Sequence, residues 1–313
     1  MSFNRVLVAN RGEIAVRIIR AANALGLGAT AIYSQDDSTS LHIKMADDAI
    51  ALPGRGAAAY LDAEAIIAAA TTAQCDAIHP GYGFVAENAG FARACIDAGL
   101  TFIGPAPETL DLFGDKSAAR VLATELGVAL LPGTNQDTTL AEARLFLNGL
   151  GDHGAIMIKA LAGGGGRGMR PVHDAAELND AFEICRTEAQ SAFGDGRLYV
   201  EQLLPHARHI EVQIAGDGSG AVCHFGDRDC SIQRRHQKIV EIAPAPNLSD
   251  DLRRRLSDDA LKLARAAQYK NIGTIEFLVQ GDAYFFIEAN ARLQVEHTVT
   301  EAVTGEDLVN LQF

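Results

Sequence analysis

Positive charge is scarce in this sequence of 313 residues, which has 27 Lys and Arg residues against 40 Asp and Glu and a formal net charge of −13. A protein that binds nucleic acid usually shows a basic balance or a basic stripe, and the sequence has neither. We therefore exclude nucleic acid as a partner. An acidic protein that binds an anionic ligand must instead concentrate its few cations at one place.

Long apolar segments and regularly spaced cysteines are also missing. No apolar run reaches the length that a bilayer crossing needs, and the short run near the N-terminus does not resemble a signal peptide, so we predict no membrane association. The five cysteines are odd in number and show no metal-binding spacing, which favours reduced thiols in a cytoplasmic compartment. With 48% hydrophobic residues and no repeats, the composition is typical of a globular protein of two or three domains.

The hydrophobic periodicity predicts an α/β region followed by an α+β region. Strand-like Val6–Ala9, a helical pattern over 13–25 and strand-like Ala29–Tyr33 form a βαβ unit, which implies a parallel sheet. This alternation continues to residue 114, so we predict a first domain over 1–114 and a second over 115–313. Within the second, residues from about 135 to 203 read as a compact α+β unit.

A run of four glycines, Gly163–Gly166, lies between strand-like segments over 155–158 and 169–172. Lys159 and Arg167 flank the run with positive charge, as expected of a loop whose backbone N–H groups close around phosphate. The loop lacks the Gly-Lys-Ser/Thr ending of a Walker motif and lies between two strands, unlike a dinucleotide-binding fingerprint. The alternative is a flexible hairpin tip.

Carboxylates lie on a predicted hairpin near the C-terminus. Glu276 is on its first strand, and Glu288 and Asn290, two residues apart, share a face of its second strand. Such hard oxygen ligands suit Mg²⁺ or Mn²⁺. A two-residue turn pairs Glu276 with Ile287, whereas a three-residue loop over 281–283 pairs it with Glu288, so a metal site requires the three-residue loop. The alternative is a pair of solvated glutamates.

Two further groups of charged residues accompany this hairpin. Arg292 suits bidentate binding of a small oxyanion, and Glu296 is placed to take a proton from it, although such a pair is often a surface ion pair. The stretch Arg228–Lys238 is the densest in cations and is either an anion site or a solvated loop.

Taken together, these residues resemble the biotin carboxylase component of biotin-dependent carboxylases, in the ATP-grasp superfamily. The matching segments are Ala9–Ile14, His79–Phe84 with Glu87 and Asn88, Phe113–Lys116, Gly163–Met169, Arg228–Lys238 with Glu241 and Ala243–Pro246, and Glu288–Glu301. They follow the family's order over the whole chain, and the departures, such as Ala162 and Ile242, remove no catalytic group.

The resemblance implies a pre-ATP-grasp, Rossmann-like domain followed by an ATP-grasp fold with a mobile lid over about 135–203. It implies that ATP and bicarbonate form carboxyphosphate, whose CO₂ carboxylates biotin. Glu296 would be the base, with Lys238, Arg292, Gln294 and Val295 around bicarbonate, and Glu276, Glu288 and Asn290 would hold Mg²⁺ or Mn²⁺. The nucleotide would be bound by Lys116, Lys159, Gly163, Gly164, Gly165, Gly166, Gly168, Met169, Glu201, Gln202, Leu203, Leu204, His209, Gln233, His236, Glu276 and Glu288, with backbone hydrogen bonds from Leu203 and Leu204.

The resemblance also implies partners. Biotin would arrive on a carboxyl carrier domain, a carboxyltransferase would use the product, and the full-length protein would be a homodimer. Because the family continues beyond the position of Phe313, we expect the chain to be truncated at its C-terminus, and to bind ATP with weak or absent biotin-dependent turnover. Two alternatives remain: another ATP-grasp ligase of the carbamoyl-phosphate type, or a non-catalytic nucleotide-binding module.

Overall fold

This computed structural model describes residues 3–134, 136–151, 154–162, 168–234 and 237–313, and begins with a parallel α/β unit. Its five strands lie side by side in the order β3-β2-β1-β4-β5, all parallel. The elements, in chain order, are β1 Arg5–Val8, α1 Gly12–Ala24, β2 Gly28–Tyr33, α2 Leu41–Met45, β3 Asp48–Ala51, α3 Ala63–Thr72, β4 Ala77–His79, α4 Ala89–Asp97, β5 Thr101–Phe102 and α5 Pro107–Gly114. The predicted parallel sheet is confirmed.

The rest of the chain forms two antiparallel sheets. One has three strands in the order β7-β6-β8, and the other has five in the order β11-β10-β9-β12-β13. The elements are α6 Lys116–Glu125, α7 Leu140–Gly149, β6 Ile156–Ala160, β7 Met169–Val172, α8 Leu178–Phe193, β8 Leu198–Gln202, β9 Arg208–Asp217, β10 Val222–Arg234, β11 Gln237–Ile242, α9 Asp250–Ala266, β12 Lys270–Gln280, β13 Ala283–Asn290, α10 His297–Thr304 and α11 Leu308–Gln312.

The five-stranded antiparallel sheet has one apolar face and one polar face because side chains alternate along each strand. Ile210, Val212 and Ile214 of β9 join a buried core with Leu256 and Leu263 of α9. The residues between them, such as Glu211 and Gln213, therefore face the opposite side. Helix α9 thus holds one face of the sheet and leaves the other for charged groups.

Helix α9 ends at Ala266, since Gln268 has a positive φ of 44° and Tyr269 turns into the core. The segment 228–238, read as an anion site or a solvated loop, belongs to strands β10 and β11 apart from residues 235 and 236, which lie outside the described residues.

Side-chain burial also corrects details of the prediction. Leu25, the last residue of the helical pattern predicted over 13–25, is 46% exposed because the helix ends at Ala24. All five cysteines are free thiols. Among the described residues, none of the helices combines the length and apolar composition that a bilayer crossing requires.

Candidate active site

Four charged residues form a straight row across the polar face of the five-stranded sheet. Arg228 on β10 is paired with Glu211 on β9, Glu211 with Glu276 on β12, and Glu276 with Glu288 on β13. Directly opposed residues in antiparallel strands share a face, so three carboxylates stand next to one another. Like charges this close are unfavourable unless cations lie between them, and the site supplies these cations.

The pairing of Glu276 with Glu288 is reached differently from the prediction. Gln280 pairs with Ala283, so the turn contains only Gly281 and Asp282 and the predicted three-residue loop is wrong. A register shift between Glu276 and Phe277 then restores the pairing of Glu276 with Glu288. The extra residue of a β-bulge therefore lies within the second strand, where it redirects the side chains that follow it.

The hairpin presents a donor set of hard oxygens. Glu276 is 2% exposed, Glu288 is half-buried, and the Asn290 side chain lies against Glu276, with Asn290 Nδ2 donating to Glu276 Oε1 over 2.7 Å. Two carboxylates and an amide oxygen on one face suit Mg²⁺ or Mn²⁺ rather than a softer metal. The residues present therefore fit the divalent ion implied by the sequence.

Lys238 lies at the centre of the carboxylates. Its Nζ donates to Glu211 Oε2 over 2.6 Å, to Glu276 Oε1 over 2.9 Å and to Glu296 Oε1 over 2.7 Å. An ammonium group has three N–H donors, so all three are used. Burial lowers the pKa of this ammonium, but the charges of Glu276 and Glu211 outweigh burial and raise it, which keeps Lys238 charged.

The same cation lowers the pKa of two of the three carboxylates that it contacts. Burial raises the pKa of the Glu296 carboxyl, but the charge and hydrogen bond of Lys238 outweigh burial, so the pKa is lowered. The pKa of Glu276 is held well below its usual value because Lys238 and His209 together outweigh its burial. Both groups are therefore ionised at neutral pH.

Arg292 lies beside these residues but does not pair with Glu296. Its Nε donates to Glu87 Oε2 over 2.8 Å, and its Nη2 donates to Asn290 Oδ1 over 3.2 Å. Gln294 accepts from Arg292 Nη1 over 3.1 Å, while Val295 next to it is 60% exposed. The predicted oxyanion-binding residues thus come together at the edge of the carboxylate row, where Val295 borders the solvent.

The two predicted phosphate-binding lysines belong to different elements, and Lys116 lies near Glu288 of the carboxylate row. Lys116 begins α6, and its Nζ lies 3.7 Å from Glu288 Oε2. Lys159 on β6 forms a buried ion pair with Glu201 on β8. Burial lowers the pKa of Lys159, but the charge of Glu201 outweighs it and raises the pKa. The Glu201 side chain, expected near the nucleotide, is therefore the counter-ion of Lys159.

The predicted nucleotide-binding segment after β8 is partly engaged in backbone bonds. Gln202 N donates to Pro132 O, and Leu203 N donates to Ala155 O, each over 2.8 Å. The N–H group of Leu203 is therefore occupied within the protein, and backbone hydrogen bonds from this segment to a nucleotide stay a prediction. Leu204 follows as a half-buried residue.

The glycine loop connects two strands, as predicted. Strand β6 pairs antiparallel with β7, with Lys159 opposite Met169, and Ala160 N donates to Gly168 O over 2.9 Å. Gly168 has a φ of 65°, a conformation that favours glycine. The predicted sites Gly163, Gly164, Gly165 and Gly166 lie outside the described residues, as does His236.

Two more of the predicted nucleotide-binding residues, His209 on β9 and Gln233 on β10, lie next to Glu276 and to each other. Gln233 Nε2 lies 2.8 Å from His209 Nδ1, and His209 Nε2 lies 2.5 Å from Glu276 Oε2. If Gln233 donates to Nδ1, Nε2 carries the proton and donates to Glu276. The His209 ring therefore fixes the position of the Glu276 carboxylate through this hydrogen bond.

Sequence reasoning missed two functional candidates, Glu211 and Arg228, both 0% exposed. Glu211 holds Lys238, and Arg228 holds Glu211 through Nε to Oε1 at 2.5 Å. The signal was the alternation His209, Glu211, Gln213 on a strand, which puts three polar residues on one face. Arg228 itself was counted as part of an anion site, whereas it is buried among protein acceptors.

Comparisons with known proteins divide the chain into two matched regions. The family model described as "Biotin carboxylase, N-terminal domain" matches residues 2–110, and "Carbamoyl-phosphate synthase L chain, ATP binding domain" matches residues 115–313. A relative from Homo sapiens, "Pyruvate carboxylase, mitochondrial", is 52% identical over 313 residues, which are 98% of this chain and 26% of the relative. The chain thus spans about a quarter of the length of that relative.

Two solved structures share the fold. A biotin carboxylase-beta-gamma-ATP complex from Campylobacter jejuni has a TM-score of 0.96 and 43% identity, over 99% of this chain and 70% of that one. The biotin carboxylase domain dimer of the Hydrogenobacter thermophilus 2-oxoglutarate carboxylase, in complex with MgADP, ADP and bicarbonate, has a TM-score of 0.96 and 44% identity, over 100% of this chain and 69% of that one.

Proposed function

Because the chain belongs to the biotin carboxylase family, with its parallel-sheet N-terminal domain and its ATP-grasp region, we propose that it activates bicarbonate with ATP for the carboxylation of biotin. This is the first half-reaction of a biotin-dependent carboxylase. The observation that carries the proposal is the contact of Lys238 with Glu296 and Glu276, which joins a base and a metal-binding carboxylate through one cation.

The activation of bicarbonate uses groups of this chain. Arg292 and Lys238 bind the anion and increase its acidity, so that Glu296, although a weak base, takes its proton. Gln294 and Val295 border the anion. Negative charge then grows on the phosphoryl oxygens, and Lys116, which lies 3.7 Å from Glu288, and Lys159 would stabilise it.

Glu276, Glu288 and Asn290 would hold the divalent ion, Mg²⁺ or Mn²⁺. When bound, such an ion neutralises the phosphate charge of the nucleotide and orients its phosphates. His209 holds Glu276 in the orientation that faces Glu288. Transfer of the carboxyl group to biotin is proposed from membership of the family.

The domain limits 1–114 and 115–313, and a lid over about 135–203 that excludes water, belong to this proposal. We further propose that the full-length protein works with a biotin carboxyl carrier domain and a carboxyltransferase. We also propose that it is a homodimer, because the biotin carboxylase domain from Hydrogenobacter thermophilus is named as a dimer. The proposed location is cytoplasmic. We propose that a separate domain selects the molecule that finally accepts the carboxyl group, because this chain is similar both to a pyruvate carboxylase and to a 2-oxoglutarate carboxylase.

The test is ADP formation by the purified chain with Mg²⁺ and ATP, with and without bicarbonate, and with free biotin or ammonium added. We expect slow ADP formation that bicarbonate stimulates, and that Glu296→Gln reduces by about 10²-fold or more because the base is lost. Glu306→Gln is the matched control, because Glu306 is an exposed glutamate ten residues after Glu296. A rate independent of bicarbonate contradicts the proposal, and stimulation by ammonium instead identifies a carbamoyl-phosphate-type ligase.

A further inference from the structure

Arg228 is a fully buried cation that contacts no residue with an assigned ligand role. Its side chain is 0% exposed. Its Nε donates to Glu211 Oε1 over 2.5 Å, and its Nη1 donates to Gln213 Oε1 over 2.9 Å and to Thr300 Oγ1 over 2.7 Å. Its remaining nitrogen, Nη2, is buried and has no hydrogen-bond partner among the residues that the structure describes.

These contacts join two parts of the candidate active site. Through Glu211, Arg228 is one carboxylate away from Lys238 Nζ, which lies 2.6 Å from Glu211 Oε2. Through Thr300, it is attached to helix α10, which begins immediately after Glu296. Thr300 lies four residues after Glu296, about one helical turn along the same face. The Arg228 guanidinium therefore connects Lys238, through Glu211, with the helix that follows Glu296, through Thr300.

Stability is a weak reason for this arrangement. A buried charge pair is often no more stabilising than well-packed apolar residues, and an unpaired buried nitrogen adds a further cost. The fork geometry is what an apolar residue or a lysine does not reproduce, since only a guanidinium donates in two fixed directions to Glu211 and Thr300. The contacts point to a requirement for position rather than for folding energy.

We propose that Arg228 is a positioning residue that sets the distance between Lys238 and Glu296. Of the three carboxylates that Lys238 contacts, Glu211 is the one to which no metal or bicarbonate role is assigned. It is therefore the contact that holds Lys238 while Glu276 and Glu296 serve their ligands, and Arg228 fixes Glu211 relative to helix α10. The inference rests on the proposed roles of Lys238 and Glu296.

The kinetic test compares Thr300→Val with Thr300→Ser, because both are smaller changes than removal of the guanidinium. Loss of the hydroxyl acceptor in Thr300→Val is expected to lower kcat for bicarbonate-dependent ADP formation about 10-fold, with the KM for ATP within about twofold of the parent. Thr300→Ser keeps the hydroxyl and is expected to restore kcat. Arg228→Met removes both connections, and we expect a loss of about 10²-fold.

Arg253→Gln is the matched control. It breaks an ion pair with Asp227, the residue before Arg228 on β10, whose side chain lies on the opposite face of the sheet. It is expected to leave kcat unchanged. Parental kcat in Thr300→Val, or an equal loss in Thr300→Ser, overturns the proposal, as does a rise in the KM for ATP that accounts for the loss.

A structural readout separates this inference from the proposed function. If the parent chain shows no bicarbonate-dependent cleavage, the proposed function fails, and crystal structures of the parent and Thr300→Val then decide the positioning role. The separation of Lys238 Nζ from Glu296 Oε1 is 2.7 Å in the parent, and we expect it to lengthen by about 1 Å in the variant. An unchanged separation overturns the inference.

Discussion

At the scale of single residues, the site depends on one ammonium group shared by three carboxylates. Lys238 lowers the pKa of Glu296, so the proposed base is already ionised, and it helps to hold the pKa of Glu276, a proposed metal ligand, well below its usual value. The sequence predicted Lys238, Glu276 and Glu296 because their residue types and order match a family pattern. The roles of Glu211 and Arg228 were not predicted, because their contacts depend on which strands pair in the folded sheet.

A second residue-scale effect concerns His79, a buried histidine at the end of β4. Its ring is 0% exposed, and burial lowers its pKa to about 3. The folded protein therefore keeps His79 neutral, while the unfolded chain takes up a proton below its ordinary pKa of about 6.5. The contribution to stability is present above that pH and is lost as the pH falls towards 3.

We predict that lowering the pH from 7.5 to 5.5 reduces the free energy of unfolding by about 1.4 kcal/mol more in the parent than in His79→Asn. Asn keeps an acceptor for Gly81 N, which donates to His79 Nδ1 over 3.1 Å. Urea unfolding followed by circular dichroism measures this difference. His173→Asn, at an exposed histidine, is the control, and equal pH dependence in the parent and His79→Asn contradicts the assignment.

At the scale of elements, the hairpin of β12 and β13 shows what a sequence predicts and what it does not. The strands, and the pairing of Glu276 with Glu288, were expected from alternation and from the chemistry of a metal site. The two-residue turn was one of the two alternatives, but the bulge before Glu288 was not expected, because a register shift depends on how β13 packs against neighbouring strands rather than on local composition. The pairing of the two glutamates is confirmed, the three-residue loop is wrong, and the metal site stays a prediction.

A prediction at this scale concerns the contact between β9 and the segment before β12. A Cβ atom added at Gly216 would lie 2.1 Å from Tyr269 O, a backbone atom that cannot move independently. Gly216→Ala is therefore expected to lower the free energy of unfolding by about 3 kcal/mol. Gly149→Ala at the end of α7, where no atom lies within 4 Å, is expected to change it by less than about 1 kcal/mol.

Urea unfolding of both variants, followed by far-ultraviolet circular dichroism because the chain has no tryptophan, measures these free energies. Similar unfolding midpoints for Gly216→Ala and Gly149→Ala would mean that β9 and the Tyr269 backbone separate without cost. The close approach would then not be what fixes the carboxylate-bearing strands next to each other.

At the scale of the whole molecule, the N-terminal unit reaches into the site of the antiparallel sheet. Glu87 holds Arg292 Nε, and Arg17 of α1 pairs with Glu301 of α10 over 2.9 Å. The helix that follows Glu296 is therefore tied to both units. The order of the units along the sequence was predictable from the βαβ pattern, but these ion pairs were not, because they join residues more than 200 positions apart.

In the proposed site, the hairpin carboxylates Glu276 and Glu288 hold the divalent ion. The most direct measurement is the anomalous difference density of Mn²⁺ in crystals grown with Mn²⁺ and ADP. A competing cluster exists: ligand atoms of Glu211, Cys230 and Glu296 lie within 4.8 Å of one another. A thiol suits Mn²⁺ poorly, so we predict a peak between Glu276 and Glu288 that Glu288→Gln weakens. A peak at the Cys230 cluster, or none at the hairpin, contradicts the account.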